Sequence, residues 1–481
     1  MKNTISKIKN GARGEMLIYL LIIMFLFTTM MMPIIANVST EFKYGASVQN
    51  RALALQIAES GVSYYQWHLA HFPTDYKDGT SGACSTTCGP YVHNYVDTDT
   101  GQTIGQYSLV ITPPTIGSTI VTIASTGWTT TNPNVTRTVT ARYGIPSLAL
   151  YSFLSNDIIW IGSSETVQGQ MQSNNGIRFD GGANAPIMSA KSTYTCSSGQ
   201  GSPCPTTKNG VWGSSPNSSF WQFPVPSVDF SALTANLSTM KSTAQGQSCS
   251  VSQCYYLPPS GASGYSLVFN AAGTVSVYRV TSLVNEPTGY DVDGYAHNEN
   301  IDYSARTLLY TVPVPASGVI YAEDNIWVEG NVHGRVMVAA AVLPYSSSTA
   351  PTIYIPNNIL YTDTTGATQK DGTNVLGLLS QNDVVVTYGA PTNLEIDAAM
   401  IAQNGSAQFF YYSGVVKNSI TVYGSIMTYG QWTWSWVNGS GSITSGYTTT
   451  NSTYDSNLLY APPPAFPLSA SGYQQLSWAS D

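Results

Sequence analysis

From Met16 to Ala36 the chain reads MLIYLLIIMFLFTTMMMPIIA, without a charged residue. A run of about 20 apolar residues is long enough to cross a bilayer as a helix. Cleaved secretory signals carry shorter apolar stretches, about 7–15 residues, ending in small residues. Here Met30–Met31–Met32–Pro33 precedes Ala36, a poor context for such a cut. Lys2, Lys7, Lys9 and Arg13 lie on the amino-terminal side, so the positive-inside rule predicts a cytoplasmic amino terminus. The expectation is a single-pass membrane protein with its bulk extracytoplasmic or on the cell surface.

The pattern then changes without a break. NVSTEFKYGASVQNRALALQIAESGVSYYQWHLAHF carries Val48, Ala52, Leu55 and Val62 on a helical period, flanked by Leu53 and Ile57, with Gln49, Arg51, Gln56 and Glu59 as a polar face. This predicts one long helix, membrane-embedded over 15–36 and amphipathic over 37–72, bent by Pro33 and ended before Pro73. Residues 73–147 follow with GQYSLVI, STIVTIASTGW and VTRTVTARYG, whose alternation predicts an antiparallel sheet.

The basic leader 1–14, the apolar half-helix and then ALALQIAESGVSYYQW resemble the amino end of type IV pilus accessory proteins of the PilX type. That family's helix carries a motif close to A-x-x-A-E-x-G-[LV], matched here by Leu55 to Val62 through Ala58, Glu59 and Gly61, with Leu55 in place of the first alanine. The resemblance implies cleavage by prepilin peptidase after Gly14, exposing Glu15, and partnership with the membrane, other pilins and pilus assembly proteins. The fifth residue after Gly14 is Tyr19, where most pilins keep a glutamate. A plain anchor followed by a helical stalk is the competing reading of the same residues.

From about Leu148 short apolar bursts alternate with Asn and Gly: SNDIIWIG, SNNGIRFDG, EDNIWVEGNVHGRVMVAAA, LLSQNDVVVTY, SITVYGSIMTYG. Asn358, Asn382 and Asn404 recur at about 20 residues, the period of stacked solenoid coils. The predicted fold is therefore mainly β: a pilin-like helix plus antiparallel sheet, then a parallel β-helix head over 148–430, with a β-sandwich as the alternative. Residues about 190–318 read as a disulfide-pinned insertion, and 431–481 as an aromatic hairpin with a Pro-rich tail crossing the body. Val319 to Pro467 also resembles the distal region of pilus-associated proteins with PilX-like stems.

Charged residues make up only 9% of the chain, against roughly 25% in average domains, while Tyr numbers 32. With a net charge of −8 and no long basic run, phosphate neutralisation, and hence nucleic-acid binding, is not expected. The cysteines fall into close pairs, Cys84/Cys88, Cys196/Cys204 and Cys249/Cys254, which suits disulfides formed in an oxidising compartment. Free thiols and metal ligation are the rival readings, although no pair is CxxC.

No P-loop, HExxH or GxSxG motif is present. Glu395 and Asp397, two apart on a strand, point to one face and form the candidate pair of a carbohydrate-active enzyme, with Asp157/Glu165 and Glu323/Asp324 as further pairs. Asp291, Asp293 and Asp302 are weak calcium candidates, and Asp97 and Asp99 weaker ones; otherwise no metal or cofactor is expected. YGQWTWSWVNGSG puts Trp432, Trp434 and Trp436 on one side of a strand, either stacking a surface glycan or another cell-surface ligand or sealing the solenoid. The expectation is a non-enzymatic accessory pilin-like protein acting in assembly, tip presentation or adhesion. The alternative is a surface-anchored carbohydrate-active enzyme or carbohydrate-binding module.

Overall fold

A computed structural model describes residues 12–230, 237–251, 254–285, 287–438, 441–469 and 471–481, with the backbone alone for 12–15. Two compact units are present. The first takes in the amino-terminal helix and the chain to Pro113, then Val121–Tyr143 and Gln475–Asp481; the second holds Pro114–Ile120 and Gly144–Gln474.

In the first unit one helix, α1 (Ala12–His71), runs through Pro33 without a break. Residues 16–46 are exposed along its whole circumference, and its apolar stretch has a mean hydropathy of 2.4. The carboxyl-terminal part buries Ala54, Ile57, Ala58, Gly61, Val62, Tyr65, His68 and Leu69, a stripe at i, i+3, i+4 spacing. That stripe is rotated from the expected one: Val48 and Ala52 are exposed and Leu55 is half-buried. The reason is backbone proximity. Small residues, Ala54, Ala58 and Gly61, mark the line along which the helix backbone lies closest to the sheet, and the bulkier Val48 and Leu55, with Ala52, flank that line or precede it.

The sheet comprises β1 (Cys88–Val96), β2 (Thr103–Thr112), β3 (Ile120–Thr129) and β4 (Thr136–Gly144), then the carboxyl-terminal strand Gln474–Ser480, in that order. The first two pairings are antiparallel, with His93 opposite Tyr107 and Leu109 opposite Ser125. Alternate residues of β2 and β3, including Tyr107, Leu109, Ile111, Val121 and Ile123, are buried. A methyl group on Gly127 would meet the backbone of Ala54 and Ala58, and one on Gly105 would meet Ile57. These glycines let helix and sheet approach closely enough to bury that stripe. Neither β1 nor the carboxyl-terminal strand was expected from the sequence.

The second unit is mostly parallel. One ladder links Val319–Ala322, Arg335–Ala340, Val375–Ser380, the end of Asn393–Ala402 and the end of Val416–Thr428. It then passes not to a later strand but to Tyr151–Ser155, followed by Gln170–Ser173, Ile187–Ser189 and Trp221–Gln222. In register this gives an apolar column: Ile320, Val338, Leu378, Met400, Ile426, Phe153, Met171 and Ile187. All eight are buried, and each side chain stacks on its equivalents in the strands above and below. A second ladder stacks Tyr265, Ile326, Ile353, Val384, Ala407 and Trp432. A third carries Ile396, Val422, Ser452, Val167 and Ala183.

Corners are held by polar side chains. Asn174 Nδ2 donates to Asn156 Oδ1 at 3.0 Å, Asn418 Nδ2 to Asn393 Oδ1 at 2.6 Å, and Asn404 Nδ2 to the Gln381 carbonyl at 2.8 Å. Ser380, Thr428, Ser155, Ser173 and Ser189 are fully buried, each with its hydroxyl on a backbone carbonyl. Not all pairing is parallel: Gly264–Asn270 and Thr274–Val280 form a hairpin around Gly273. Gly264–Asn270 is also a rung of the second ladder, so the stretch 190–318 supplies core strands as well as excursions. The Pro-rich tail lies along the parallel strands, with Pro464 over Gly318 and Pro463 over Gly377, and Arg335 donates to the carbonyls of Ala461 and Pro462.

Candidate functional site

The stem motif resolves into packing roles. Ala58 is buried under Gly127, and Gly61 lies where a side chain would collide with Tyr107 and Ser125. Glu59 sits off that line and is half-exposed. Gly14 and Glu15 lie on the helical backbone; their side chains, and the leader residues Lys2, Lys7 and Lys9, are outside the described residues. The end of α1 carries a polar cluster. His68 is buried with Nε2 3.1 Å from Asp75 Oδ2, and Asp78 accepts from Tyr64 at 2.9 Å while lying 2.6 Å from His93 Nε2. The cysteines join within their close pairs, Cys84–Cys88, Cys196–Cys204 and Cys249–Cys254, with none free.

Glu395 and Asp397 do share a face, but a third residue joins them. Lys370 Nζ lies 2.7 Å from Glu395 and 2.8 Å from Asp397. Asp397 is fully buried, and burial pushes its carboxyl up to about 6 despite the lysine. Lys370 comes from an irregular, half-buried stretch, so nothing in its local sequence marked it as their partner. The other pairs do not meet as pairs. Asp157 caps its own turn through the Ile158 amide, while Glu165 accepts from Gly162 N at 2.6 Å. Glu323 holds Lys241 and Tyr256, whereas Asp324 accepts from Ser260 N.

The acidic loops spend their oxygens locally. Asp291 accepts from the amides of Asp293 and Tyr295 and pairs with His297 at 2.7 Å; Asp302 caps the turn at Ser304. Asp97 likewise accepts from the amides of Asp99 and Thr100. Among the described residues, no group of three or more His, Cys, Asp or Glu side chains is arranged to hold a metal ion.

The tryptophan row is broken up by the fold. Trp432–Thr433 and Ser435–Val437 are separate short strands. Trp434 is 1% exposed, Trp432 packs edge-on to both Trp434 and Phe153, and Trp436 donates its indole N–H to the Phe409 carbonyl at 2.8 Å. A flat exposed ladder of three rings is therefore not formed, because Trp434 turns into the core. The indole nitrogens of Trp432 and Trp434 are buried without a hydrogen-bond partner.

Trp432 also ends the second ladder. Where the next strand would stack, Ile159–Ile161 instead belongs to a separate three-stranded sheet with Ile177–Phe179 and Val211–Trp212. Between these edges lies a cleft of about 400 Å³, lined by Trp160, Glu165, Trp432, Trp434 and Trp436 among others. Arg178 stacks on Trp160, whose indole N–H donates to Asp180 at 2.9 Å. Burial raises the Glu165 carboxyl to about 7. A second cavity, about 840 Å³, holds the Arg306–Glu329 ion pair at 3.3 Å with Tyr303 donating to Glu329.

No protein-family model matches the chain, and no curated protein matches it. Among solved structures it is similar to the competence-associated pilin ComZ from Thermus thermophilus, at 12% identity over 90% of this chain and 97% of that one, with a TM-score of 0.31.

Proposed function

We propose that the chain is a non-enzymatic accessory pilin-like component of a type IV pilus or related system, held by its amino-terminal helix and displaying a solenoid head outside the cell. The observation that carries this reading is the division of α1. Residues 16–46 expose Leu, Ile, Phe and Met on every side, while Ala54 to Leu69 are buried on an antiparallel sheet. Apolar surface of that extent has no stable place in water. Lipid, or the apolar helices of neighbouring subunits, would cover it. The basic residues before Met16 favour a cytoplasmic amino terminus. The regular parallel columns of the second unit suit coils of a β-helix, a shape that extends by stacking and presents a long lateral surface. The Lys370 bridge supports a structural role for Glu395 and Asp397, since it neutralises the carboxylates that a glycosidase would need free.

The test is the mature protein isolated with sheared surface filaments. Mass spectrometry of its amino terminus should find Glu15 as the first residue, in a chain co-purifying with pilins. A mature start at Met1 or Asn37, in a chain absent from the filament fraction, overturns the reading in favour of a plain anchor or a cleaved signal.

A further inference from the structure

The seam between the two stacks has a property that the remaining coils lack. Elsewhere each rung of the second ladder finds the next rung at hydrogen-bonding distance. At Trp432 the ladder stops, and Ile159–Ile161 is paired only away from it among the described residues. This break opens the cleft of about 400 Å³, within the ~300–1,000 Å³ range of ligand sites. Its walls are indoles from both sides of the break: Trp160 from one stack, Trp432, Trp434 and Trp436 from the other.

The lining chemistry narrows the ligand. Among the described residues no Lys, Arg or His lines the cleft, and Arg178, stacked on Trp160, is held by Asp180, so no free cation there compensates a phosphate or a uronate. Its single carboxyl, Glu165, is raised to about 7 by burial and is therefore about half-protonated at neutrality, which weakens the counter-charge a cationic ligand would want. Ser163, Ser164 and Gln431 form an exposed polar rim. A ligand with apolar ring faces and many hydroxyl oxygens matches the partly exposed rings of Trp160, Trp432 and Trp436 together with the polar rim. We propose that this cleft binds a neutral saccharide, with sugar rings stacked on the indoles and hydroxyls on the rim.

The proposal does not depend on whether the stem enters a filament. It is tested on the full chain in detergent, by following tryptophan emission during titration with maltohexaose, cellohexaose and chitohexaose, and with choline and a hexauronate as contrasting probes. At least one neutral oligosaccharide should give a saturable change. Trp160→Ala and Trp436→Ala should each weaken it about tenfold, a loss of ~1.4 kcal/mol, while Trp478→Ala, outside the cleft, should not alter it. Ser164→Trp at the exposed rim tests the same cleft without touching the core and should abolish binding by filling the mouth. Absence of binding by all three neutral sugars up to about 5 mM, equivalent to a gain below roughly 3–4 kcal/mol, overturns the proposal. So does tighter binding of choline or hexauronate, or sugar binding unchanged in both Trp160→Ala and Ser164→Trp.

Discussion

The two units build their cores in opposite ways. In the first, a helix lies on strands whose first two partnerships follow chain order, β1 with β2 and β2 with β3, and one long stripe of small residues sets the distance of approach. In the second, each apolar side chain stacks on an equivalent one a rung away, and the stack runs on without a break where Ile426 meets Phe153 across 273 residues of sequence. The first core is sensitive to size at a few close contacts. The second is sensitive to missing volume anywhere along a column, because neighbouring rungs cannot collapse independently.

Truncation should break this contrast most sharply. Phe409→Ala removes a fully buried ring packed against Tyr412 and Tyr447 and is expected to cost the second unit about 3–5 kcal/mol. Hydrogen exchange should show faster opening at the rungs beside Phe409, with amides of β2 and β3 unchanged; equal loss in both units would remove the distinction.

Next comes the buried ion pair. Lys370→Met leaves Asp397 without its cation, for an expected loss of about 3 kcal/mol at pH 8. A raised carboxyl is bound more tightly to its proton when folded than when unfolded, so its favourable contribution is present at low pH and lost as pH rises through the folded value. Asp397 already sits at about 6 with the lysine in place and moves higher without it. The defect should therefore shrink as pH falls to 5, and Asp397→Asn should rescue much of it; a pH-independent loss in denaturant melts would contradict this account.

In the first unit, enlargement rather than truncation is the probe. Gly61→Val forces a side chain against Tyr107 and Ser125 and should cost about 1–3 kcal/mol. The helical Gly45, with open space around it, should tolerate alanine and gain up to about 1 kcal/mol of helix propensity. Similar thermal shifts for both variants would show that close approach is not what Gly61 provides. The smallest effect is expected at a corner: Asn418→Ala removes the bond to Asn393 and should lower the second unit's stability by about 0.5–1 kcal/mol, read as a small shift in denaturation midpoint.

Local pattern made much of the first unit legible. The span, the length of α1 and the strands 103–112, 120–129 and 136–144 follow from hydropathy and period-2 alternation, which report each residue's surroundings directly. The orientation of the helix was not legible, because burial there is decided by which backbone line lies against Gly105 and Gly127, and a hydropathy scale undervalues Ala58 and Gly61.

Candidate chemistry was less readable still. Glu395 and Asp397 were placed on one face by their spacing, but Lys370, 25 residues before Glu395, is brought to them only by the tertiary fold. Trp432, Trp434 and Trp436 were visible as a cluster, yet their separation into a buried ring and two partly covered ones depends on where the second ladder ends. Trp160 and Glu165, across the seam, carried no sequence signal that joined them to the tryptophans.

By itself, then, the sequence determined the membrane-length apolar run, the cysteine pairing by proximity, the low charge and the short recurrent strands ending at Asn and Gly. These are local properties, set by what each segment can bury and how its backbone can turn. Only the tertiary structure decided that Tyr151–Ser155 stacks on Val416–Thr428, that the last strand joins the first unit's sheet, and that a cleft lined by indoles opens at the break. Parallel pairing carries no marker of which strands will be neighbours, because every rung offers the same apolar face and the same backbone edge.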